Sequence, residues 1–293
     1  MKYMFIKENR KDYGLCLCCR VFGITPSSYH RWLKRQTIWR ATEDEKLLEL
    51  IKYYYKKGRS NYGLPRITAA IRKTGIKVNK KRIERLMRAN KIKAKTRRRF
   101  KRTTVQNKNA FFNDNLLKQA FGSEKKNKIW TSDITYIPTK EGWLYLAVVM
   151  DIYSRKIIGW STGSSLSSEL VETAVKMALT QRDKTENIIL HSDRGSQYTS
   201  SQVRKIIKDN SMIQSMSSTG NCYDNAVTES FFHTLKTELV YWNNYQTREE
   251  AKRSIFEYIE IFYNRQRIHS FLGYLSPVEF EEKNNQIFNK RVA

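Results

Sequence analysis

The second half of the chain alternates between two kinds of sequence pattern. From residue 129 onward, five short segments rich in β-branched and aromatic residues favour β-strands; they span 129–137, 144–150, 156–160, 187–191 and 212–216. Segments of helical periodicity separate the last three strands, and a long helix capped by Asn221 extends to about Tyr241. A sheet with helices between its strands buries apolar side chains on both faces. We therefore predict an α/β domain built on a mixed five-stranded sheet.

The first hundred residues follow a different pattern, that of short helices joined by turns. After an apolar helical segment, Gly23 supplies a turn, Thr25 an N-cap, and Pro26 the first residue of a second helix. This pattern predicts a helix-turn-helix over residues 15–35, and a plain helical hairpin is the alternative.

A second helical group begins at a capping box formed by Thr42 and Glu45. Pro65 opens the next helix, Gly75 ends it, and Asn79 caps a third helix that has an apolar stripe and a basic outer surface. A basic second helix after a short turn suits the major groove of DNA. The predicted DNA contacts on this helix are Lys80, Lys81, Arg82, Arg85 and Arg88.

Positive charge is concentrated in this helical half. Residues 1–110 contain 32 basic and 7 acidic residues, and residues 111–293 contain 23 and 21, so the two parts carry +25 and +2 of the net +27. A solvated basic face is the alternative to DNA binding, but only Glu84 interrupts the basic residues of the third helix. Eight of the twelve residues in 91–102 are basic, which predicts contacts with DNA phosphates by residues that include Arg97, Arg98 and Arg99.

Other features of the sequence exclude whole classes of protein. The longest apolar run, 143–150, is far shorter than the roughly 20 residues that span a bilayer, and the N-terminus has no apolar signal segment. Four cysteines in 293 residues are not a disulfide framework, so we expect a cytoplasmic protein that associates with the nucleoid when bound. A zinc site is the less favoured interpretation, because no standard ligand spacing fits Cys16, Cys18, Cys19 and His30.

Three carboxylates stand out by their positions in the predicted elements. Asp133 lies within a strand among polar neighbours, and Asp193 lies where a buried strand ends, two residues before Gly195. Glu229 lies on the polar side of the long helix, opposite the stripe of Val227, Phe231 and Leu235. Taken singly, none of the three is unusual, since an exposed helical glutamate is a solvated side chain far more often than a ligand.

The segments around these carboxylates carry a resemblance to a known family. Asp133 lies in Trp-Thr-Ser-Asp-Ile-Thr-Tyr-Ile, Asp193 lies in His-Ser-Asp-Arg-Gly-Ser-Gln-Tyr, and Glu229 lies in Asn-Ala-Val-Thr-Glu-Ser-Phe-Phe-His. Between Asp193 and Glu229 there are 35 residues. These motifs resemble the OrfB-type D-D-E transposases of the IS-three family of bacterial insertion sequences, whose core is similar to retroviral integrase. Segments 62–67 and 263–277 resemble the same family, so that the likeness covers nearly the whole chain.

The resemblance implies an RNase H-like fold in which Asp133, Asp193 and Glu229 are both the catalytic residues and the metal ligands. It also implies two Mg²⁺ or Mn²⁺ ions, between which a phosphodiester undergoes in-line displacement. The expected activity is cleavage of a DNA strand at the terminal inverted repeats, followed by attack of the 3′-OH on a second phosphodiester, which leads to integration. Lys236 matches the basic residue that the family places near the DNA end; further candidate DNA contacts are Gln197, Tyr198 and His233.

The expected partners are double-stranded DNA, as repeats and as target, and further copies of the chain in a synaptic complex. The family often fuses this reading frame to an upstream one by frameshifting, so a fusion partner is also expected. Two alternatives remain: an RNase H-like nuclease that cuts without strand transfer, and a DNA-binding regulator that is inactive alone. The tandem helix-turn-helix pattern disfavours the first, and the three carboxylates disfavour the second.

The predicted organisation has five parts: a helix-turn-helix over 1–40, a second with its basic tail over 41–102, a linker over 103–127, the catalytic core over 128–240 and a helical extension over 241–293. Asp151 is expected to order a turn with Ser154 and Arg155, and Asp224 and Asn225 to cap the long helix. Two roles are open, phosphate contact or a lock on the C-terminal helices, for Arg265, Arg267 and His269.

Overall fold

The computed structural model describes residues 2–36, 39–95, 123, 125–182, 187–217 and 226–292. Side chains are described outside 34–41 and 287–292. The chain forms two compact units, residues 1–93 and residues 94–293. The five predicted boundaries stay predictions.

The first unit is entirely helical in its described residues. Its helices are α1 (Lys2–Tyr13), α2 (Leu15–Val21), α3 (Pro26–Gln36), α4 (Trp39–Lys57), α5 (Leu64–Lys73) and α6 (Lys80–Ala89). Helices α1 to α3 pack around a small cluster of buried side chains, Ile6, Cys18, Cys19 and Tyr29. Helices α4, α5 and α6 contact one another pairwise, and their buried side chains include Ile51, Ile67, Ile71 and Ile83.

Local sequence signals set several of these helix ends. The Thr25 hydroxyl accepts a hydrogen bond from the Ser28 N–H at 3.2 Å, and the Asn79 carboxamide accepts one from the Lys81 N–H at 2.9 Å, so both predicted caps are confirmed. Thr42 was predicted to cap a helix, and this is wrong. Helix α4 begins at Trp39, one turn earlier, and Thr42 lies within it.

The second unit contains a five-stranded mixed sheet, which confirms the predicted fold class. Its strands are β1 (Ile129–Thr139), β2 (Gly142–Asp151), β3 (Lys156–Gly163), β4 (Ile189–Ser192) and β5 (Ile213–Met216). The strand order is β3-β2-β1-β4-β5. The first three strands pair antiparallel, whereas β4 pairs parallel to both β1 and β5. The sheet centre therefore joins an antiparallel meander to parallel strands.

Helices cover this sheet and complete its core. They are α7 (Ser168–Gln181), α8 (Ser201–Asp209), α9 (Ala226–Glu238), α10 (Arg248–Phe256), a π-helix (Glu257–Tyr263) and α11 (Pro277–Val292). Helix α7 packs on β2 and β3 so closely that a Cβ at Gly159 would lie 2.1 Å from the Ala174 carbonyl oxygen. The predicted cap Asn221 lies outside the described residues, as do Asp224 and Asn225. The predicted helical path continues after α9 as a 3₁₀ turn, Val240–Trp242.

The C-terminal helices are tied to the edge of the sheet by polar contacts. The Asn264 carboxamide accepts from the Ile157 N–H at 3.0 Å and donates to the Ile157 carbonyl at 2.9 Å, which satisfies backbone groups of edge strand β3. The Arg267 guanidinium donates two hydrogen bonds to Glu238, at 2.8 and 2.7 Å. Of the two roles left open for Arg267, the structure places it as a lock on the C-terminal helices.

A buried ionic cluster joins the end of β2 to α11. Arg182 donates to both Glu281 oxygens, at 3.0 and 2.6 Å, and contacts Asp151 at 3.4 Å. Asp151 also accepts hydrogen bonds from the Asn127 and Tyr153 N–H groups, at 2.9 and 3.0 Å. Asp151 thus orders the turn after β2 and also forms an ion pair with Arg182, which the sequence pattern did not indicate. None of the helices in the described ranges is long and apolar enough to cross a membrane.

Candidate active site

Sheet pairing brings Asp133 and Asp193 together at the junction of β1 and β4. Thr131 of β1 pairs with His191 of β4 in parallel register, and each aspartate lies two residues further along its own chain segment. Asp133 is half-buried and Asp193 is exposed. Two carboxylates on neighbouring parallel segments therefore share one end of the strand pair.

Backbone amides orient both carboxylates. The Ile134 N–H lies 2.7 Å from Asp133 Oδ1, and the Gly195 N–H donates to Asp193 Oδ1 at 3.0 Å. A Cβ at Gly195 would lie 3.0 Å from this same Asp193 oxygen, so the turn after β4 favours glycine for its small size. The glycine that the sequence places two residues after Asp193 thus lies in a turn whose backbone N–H binds the Asp193 carboxylate.

The surroundings of Asp133 and Asp193 disfavour the ionised form of both carboxyl groups. Burial raises the pKa of Asp133 to about 8, and the neighbouring Asp193 charge adds to the increase. Although the Asp193 side chain is partly open to solvent, desolvation by the surrounding protein atoms also raises its pKa, against the opposing effect of the Gly195 hydrogen bond. Both shifts penalise ionised carboxylates, which is the pattern of a site that accepts positive charge.

Helix α9 places Glu229 beside these aspartates. The buried Thr228 hydroxyl donates to the Thr131 hydroxyl at 2.7 Å, which fixes the start of α9 against β1. Glu229 follows directly and is exposed. The Glu229 charge contributes to the raised pKa of Asp133, as the Asp193 charge does. Both carboxylates therefore interact electrostatically with Asp133.

Lys236 lies on the same helix, two turns beyond Glu229. Its side chain is half-buried, and its Nζ lies 4.7 Å from the centroid of the Tyr136 ring. Burial lowers the pKa of Lys236, while Asp133 raises it. The ammonium group thus lies within electrostatic reach of the aspartate pair.

The Tyr198 side chain is buried against β1, so its prediction as a DNA contact is wrong. Its side chain is only 1% exposed, and its hydroxyl lies 2.9 Å from that of Ser132, which donates to the Val148 carbonyl. The motif suggested a DNA contact because Tyr198 closely follows Asp193, but the turn between them directs the Tyr198 ring into the core. Gln197 is half-buried and His233 is exposed.

The carboxylates do not form a compact three-ligand cluster. Among the described residues, no group of three or more His, Cys, Asp or Glu side chains is arranged to hold a metal ion. The first protein ligands of any metal ion at the candidate site would therefore be Asp133 and Asp193. Two residues of the less favoured zinc interpretation, Cys18 and Cys19, belong to the apolar core of α1 to α3.

The basic residues of helix α6 divide by their contact with α4. Arg82 binds Asp44 and Glu43 of α4, at 2.7 and 3.1 Å, and Arg85 also binds Asp44. These ion pairs pack α6 on α4, and the DNA contacts of Arg82 and Arg85 stay predictions. Lys80, Lys81 and Arg88 are exposed; Arg88 lies 3.4 Å from Glu84 within α6, and Arg97, Arg98 and Arg99 lie outside the described residues.

Comparisons with known proteins agree with this arrangement. The HTH-like domain family matches residues 42–100, and two Integrase core domain families match residues 123–222 and 229–284. Transposase InsF for insertion sequence IS3A, from Escherichia coli (strain K12), is 38% identical over 288 residues, which cover 97% of this chain and 99% of InsF.

Two further similarities extend the comparison. The uncharacterized 31 kDa protein of insertion element IS600, from Shigella sonnei, is 41% identical over 269 residues, covering 92% of this chain and 99% of that protein. Among solved structures, the catalytic core domain of BIV integrase covers 55% of this chain and 99% of its own, with 18% identity and a TM-score of 0.41.

Proposed function

Because the chain belongs to the IS3 family of insertion-sequence transposases, we propose that it cleaves DNA at its element's terminal inverted repeats and transfers the resulting 3′-OH to a second phosphodiester. The observation that carries this proposal is the placement of Asp133 and Asp193 on paired parallel segments, with Glu229 held beside them. Paired carboxylates are suited to hold the metal ions that assist phosphoryl transfer by in-line displacement.

The residues at the site fit divalent metal ions. The donors are all carboxylate oxygens, and Mg²⁺ is usually bound by one or two carboxylates together with substrate phosphates and water. We propose that Asp133, Asp193 and Glu229 would together hold two such ions, Mg²⁺ or Mn²⁺. When bound, such ions supply Lewis acidity to the attacking and leaving oxygens of an in-line displacement.

The protein's own groups hold the reactants rather than react with them. The Ile134 and Gly195 amides fix the two carboxylates, and Lys236 offers a positive charge to a DNA phosphate beside Asp133. Water is the nucleophile for strand cleavage, which releases a 3′-OH. That hydroxyl then displaces a 3′-oxygen from the target phosphodiester, and no covalent protein intermediate forms.

The helical unit supplies the binding of the terminal repeats in this proposal. Its sequence matches an HTH-like domain, and Lys80, Lys81 and Arg88 are exposed on α6. We propose a synaptic complex with further copies of the chain, and an upstream-frame fusion where the family's full enzyme is required. A chain that acts only as a DNA-binding regulator is the second candidate.

A strand-transfer assay on labelled DNA carrying the element's ends tests this function. The assay compares wild type with Mg²⁺, wild type with EDTA, Asp193→Asn, and the control Asp209→Asn at an exposed position of α8. Joined products that persist in the control and disappear with EDTA and in Asp193→Asn support the transposase.

Cleavage without joining would instead favour a nuclease. Binding without chemistry would leave the regulator and the missing fusion partner, which the fused form of the protein separates.

A further inference from the structure

An exposed aromatic pair lies at the end of the β1–β2 hairpin, outside the core of the sheet. The Tyr136 and Trp143 rings meet edge to face, with centroids 4.9 Å apart and an interplanar angle of 78°. Their side chains remain 55% and 48% exposed. Sheet register pairs Pro138 with Trp143 and Tyr136 with Tyr145, which places both rings on one face.

The backbone that carries this pair is held in place. The Lys140 N–H donates to the Tyr245 carbonyl at 3.0 Å, and Arg248 Nε donates to the Trp143 carbonyl at 3.1 Å. Thr139 closes the turn by donating to the Gly142 carbonyl at 2.6 Å. The two rings are thus presented on a fixed turn, so that a ligand would bind them without a large ordering cost.

The pair lies next to the candidate active site. Tyr136 follows Asp133 by three residues on β1, a distance of about 10 Å along a strand, or about three stacked nucleotides. Lys236 lies near both the aromatic pair and Asp133. Its ammonium group contacts the Tyr136 ring and interacts electrostatically with Asp133. The side chains of Asp133 and Tyr136 alternate to opposite faces of β1, and Lys236 is the residue that interacts with both.

We propose that Tyr136 and Trp143 bind an unpaired nucleobase of the DNA that is cut, a role that rests on the proposed function. One ring stacks on the face of the base, and the other, nearly perpendicular ring meets its edge. Exposed aromatic rings beside positive charge are the means by which proteins hold single-stranded DNA, and every base offers a flat face to them. Bases inside a duplex are already stacked on both sides. The site therefore recognises a strand that has opened next to the scissile phosphate, while Lys236 holds the adjacent phosphate.

Fluorescence of 2-aminopurine tests the proposal with the full-length chain. The probes are forked duplexes with 2-aminopurine in an unpaired 3′ arm or an unpaired 5′ arm, and a fully paired duplex of the same sequence. Wild type should quench one forked probe, and the responding arm identifies the strand. Tyr136→Ala with Trp143→Ala should abolish the quenching and weaken forked-DNA binding about 5- to 100-fold, with less than about a two-fold change for paired DNA.

Two further variants separate stacking from a loss of structure. Replacing both rings with Phe should preserve quenching, and Phe256→Ala, which removes another exposed aromatic side chain of the same unit, should behave as wild type. Equal weakening on forked and paired DNA overturns the proposal, as does quenching that survives loss of both rings. A changed oligomeric state with quenching intact assigns the rings to a protein contact and also overturns it.

The proposed function is judged separately from this inference. If wild type fails to quench either forked probe, the stacking site is wrong, whereas the strand-transfer assay with Asp193→Asn still decides the catalytic activity. If wild type quenches but does not cleave or join DNA, the stacking site stands without the transposase chemistry.

Discussion

Asp133 and Asp193 lie at equivalent places on two paired parallel segments, each two residues beyond the partners Thr131 and His191. The register of β1 and β4 therefore imposes the proximity of two like charges, without any help from a flexible loop. Burial is the main cause of the raised pKa of Asp133, and the nearby Asp193 charge raises that pKa further. A site of this kind sacrifices stability of the unloaded protein for function.

We predict that Asp133→Asn stabilises the protein in EDTA. The folded-state pKa of Asp133 is about 8, above its usual value of 3.8, so the wild-type folded state binds the extra proton. This proton uptake stabilises the folded state fully below about pH 4, and the stabilisation is lost as the pH rises to about 8. The thermal midpoint of Asp133→Asn should exceed that of wild type by an amount that grows over this range. Saturating Mg²⁺ should raise the midpoint of wild type more than that of the variant.

Asp209→Asn, at the exposed end of α8, is the matched control and should leave the midpoint unchanged. A constant difference between Asp133→Asn and wild type from pH 4 to pH 8 would show that Asp133 does not titrate as the geometry requires.

We predict that Lys236→Ala impairs DNA cleavage more than metal binding. Loss of one charge-assisted contact to a phosphate costs about 1.5–3 kcal/mol, which corresponds to a decrease of about 10- to 150-fold in cleavage rate. Lys236→Arg should recover part of the activity, because the positive charge is kept. Calorimetric titration with Mn²⁺ should give nearly the same affinity for wild type and Lys236→Ala.

Lys208→Ala, on the exposed last turn of α8, provides the comparison for cleavage. An equal loss of Mn²⁺ affinity and cleavage in Lys236→Ala would place this side chain at the metal site instead of at the DNA.

The sequence predicted those features that depend on local periodicity. Alternating β-branched segments predicted all five strands, and the turn chemistry at Asn79 and Gly195 predicted a helix cap and a close approach. The three carboxylates were selected by motif, and the structure pairs the segments that carry Asp133 and Asp193. Such features are encoded within a few residues, so that one sequence contains enough information for them.

Features that depend on distant partners escaped prediction. Arg82 was predicted to contact DNA, but its partner Asp44 lies 38 residues earlier in the chain. Tyr198 was placed at the DNA by its motif, yet its hydroxyl meets Ser132, 66 residues away. Such pairings follow from the packing of whole elements, which periodicity does not specify.

We predict that Arg182→Met destabilises the protein by about 3–5 kcal/mol, because it leaves Asp151 buried without its cation and Glu281 with only Lys156, at 3.7 Å. Burial already raises the pKa of Asp151 to about 6. Burial alone would also raise the pKa of Glu281, which hydrogen bonds from Arg182 and Ser154 instead lower. Without Arg182, both carboxylates should take up protons more readily in the folded state than in the unfolded state.

The deficit of Arg182→Met should therefore be largest near pH 7 and shrink as the pH falls toward about 4. Urea unfolding at several pH values measures it. Lys176→Met removes an exposed ion pair with Glu172 and should cost less than about 1 kcal/mol. A deficit for Arg182→Met as small as that of Lys176→Met would show that the buried cluster contributes little.

We predict that Lys81→Ala and Arg82→Ala affect DNA binding and folding in opposite proportions. Lys81 is exposed, so its loss should lower the slope of log affinity against log salt concentration by about 1 and leave stability unchanged. Arg82 is held by Asp44 and Glu43, so its loss should destabilise the helical unit by about 1 kcal/mol and alter the salt slope less. Fluorescence anisotropy over a salt series measures the slope, and urea unfolding of the same samples measures stability. If Arg82→Ala lowers the slope as much as Lys81→Ala while folding is unaffected, Arg82 exchanges its carboxylate partners for DNA phosphates, and the division of the basic residues of α6 by their contact with α4 fails.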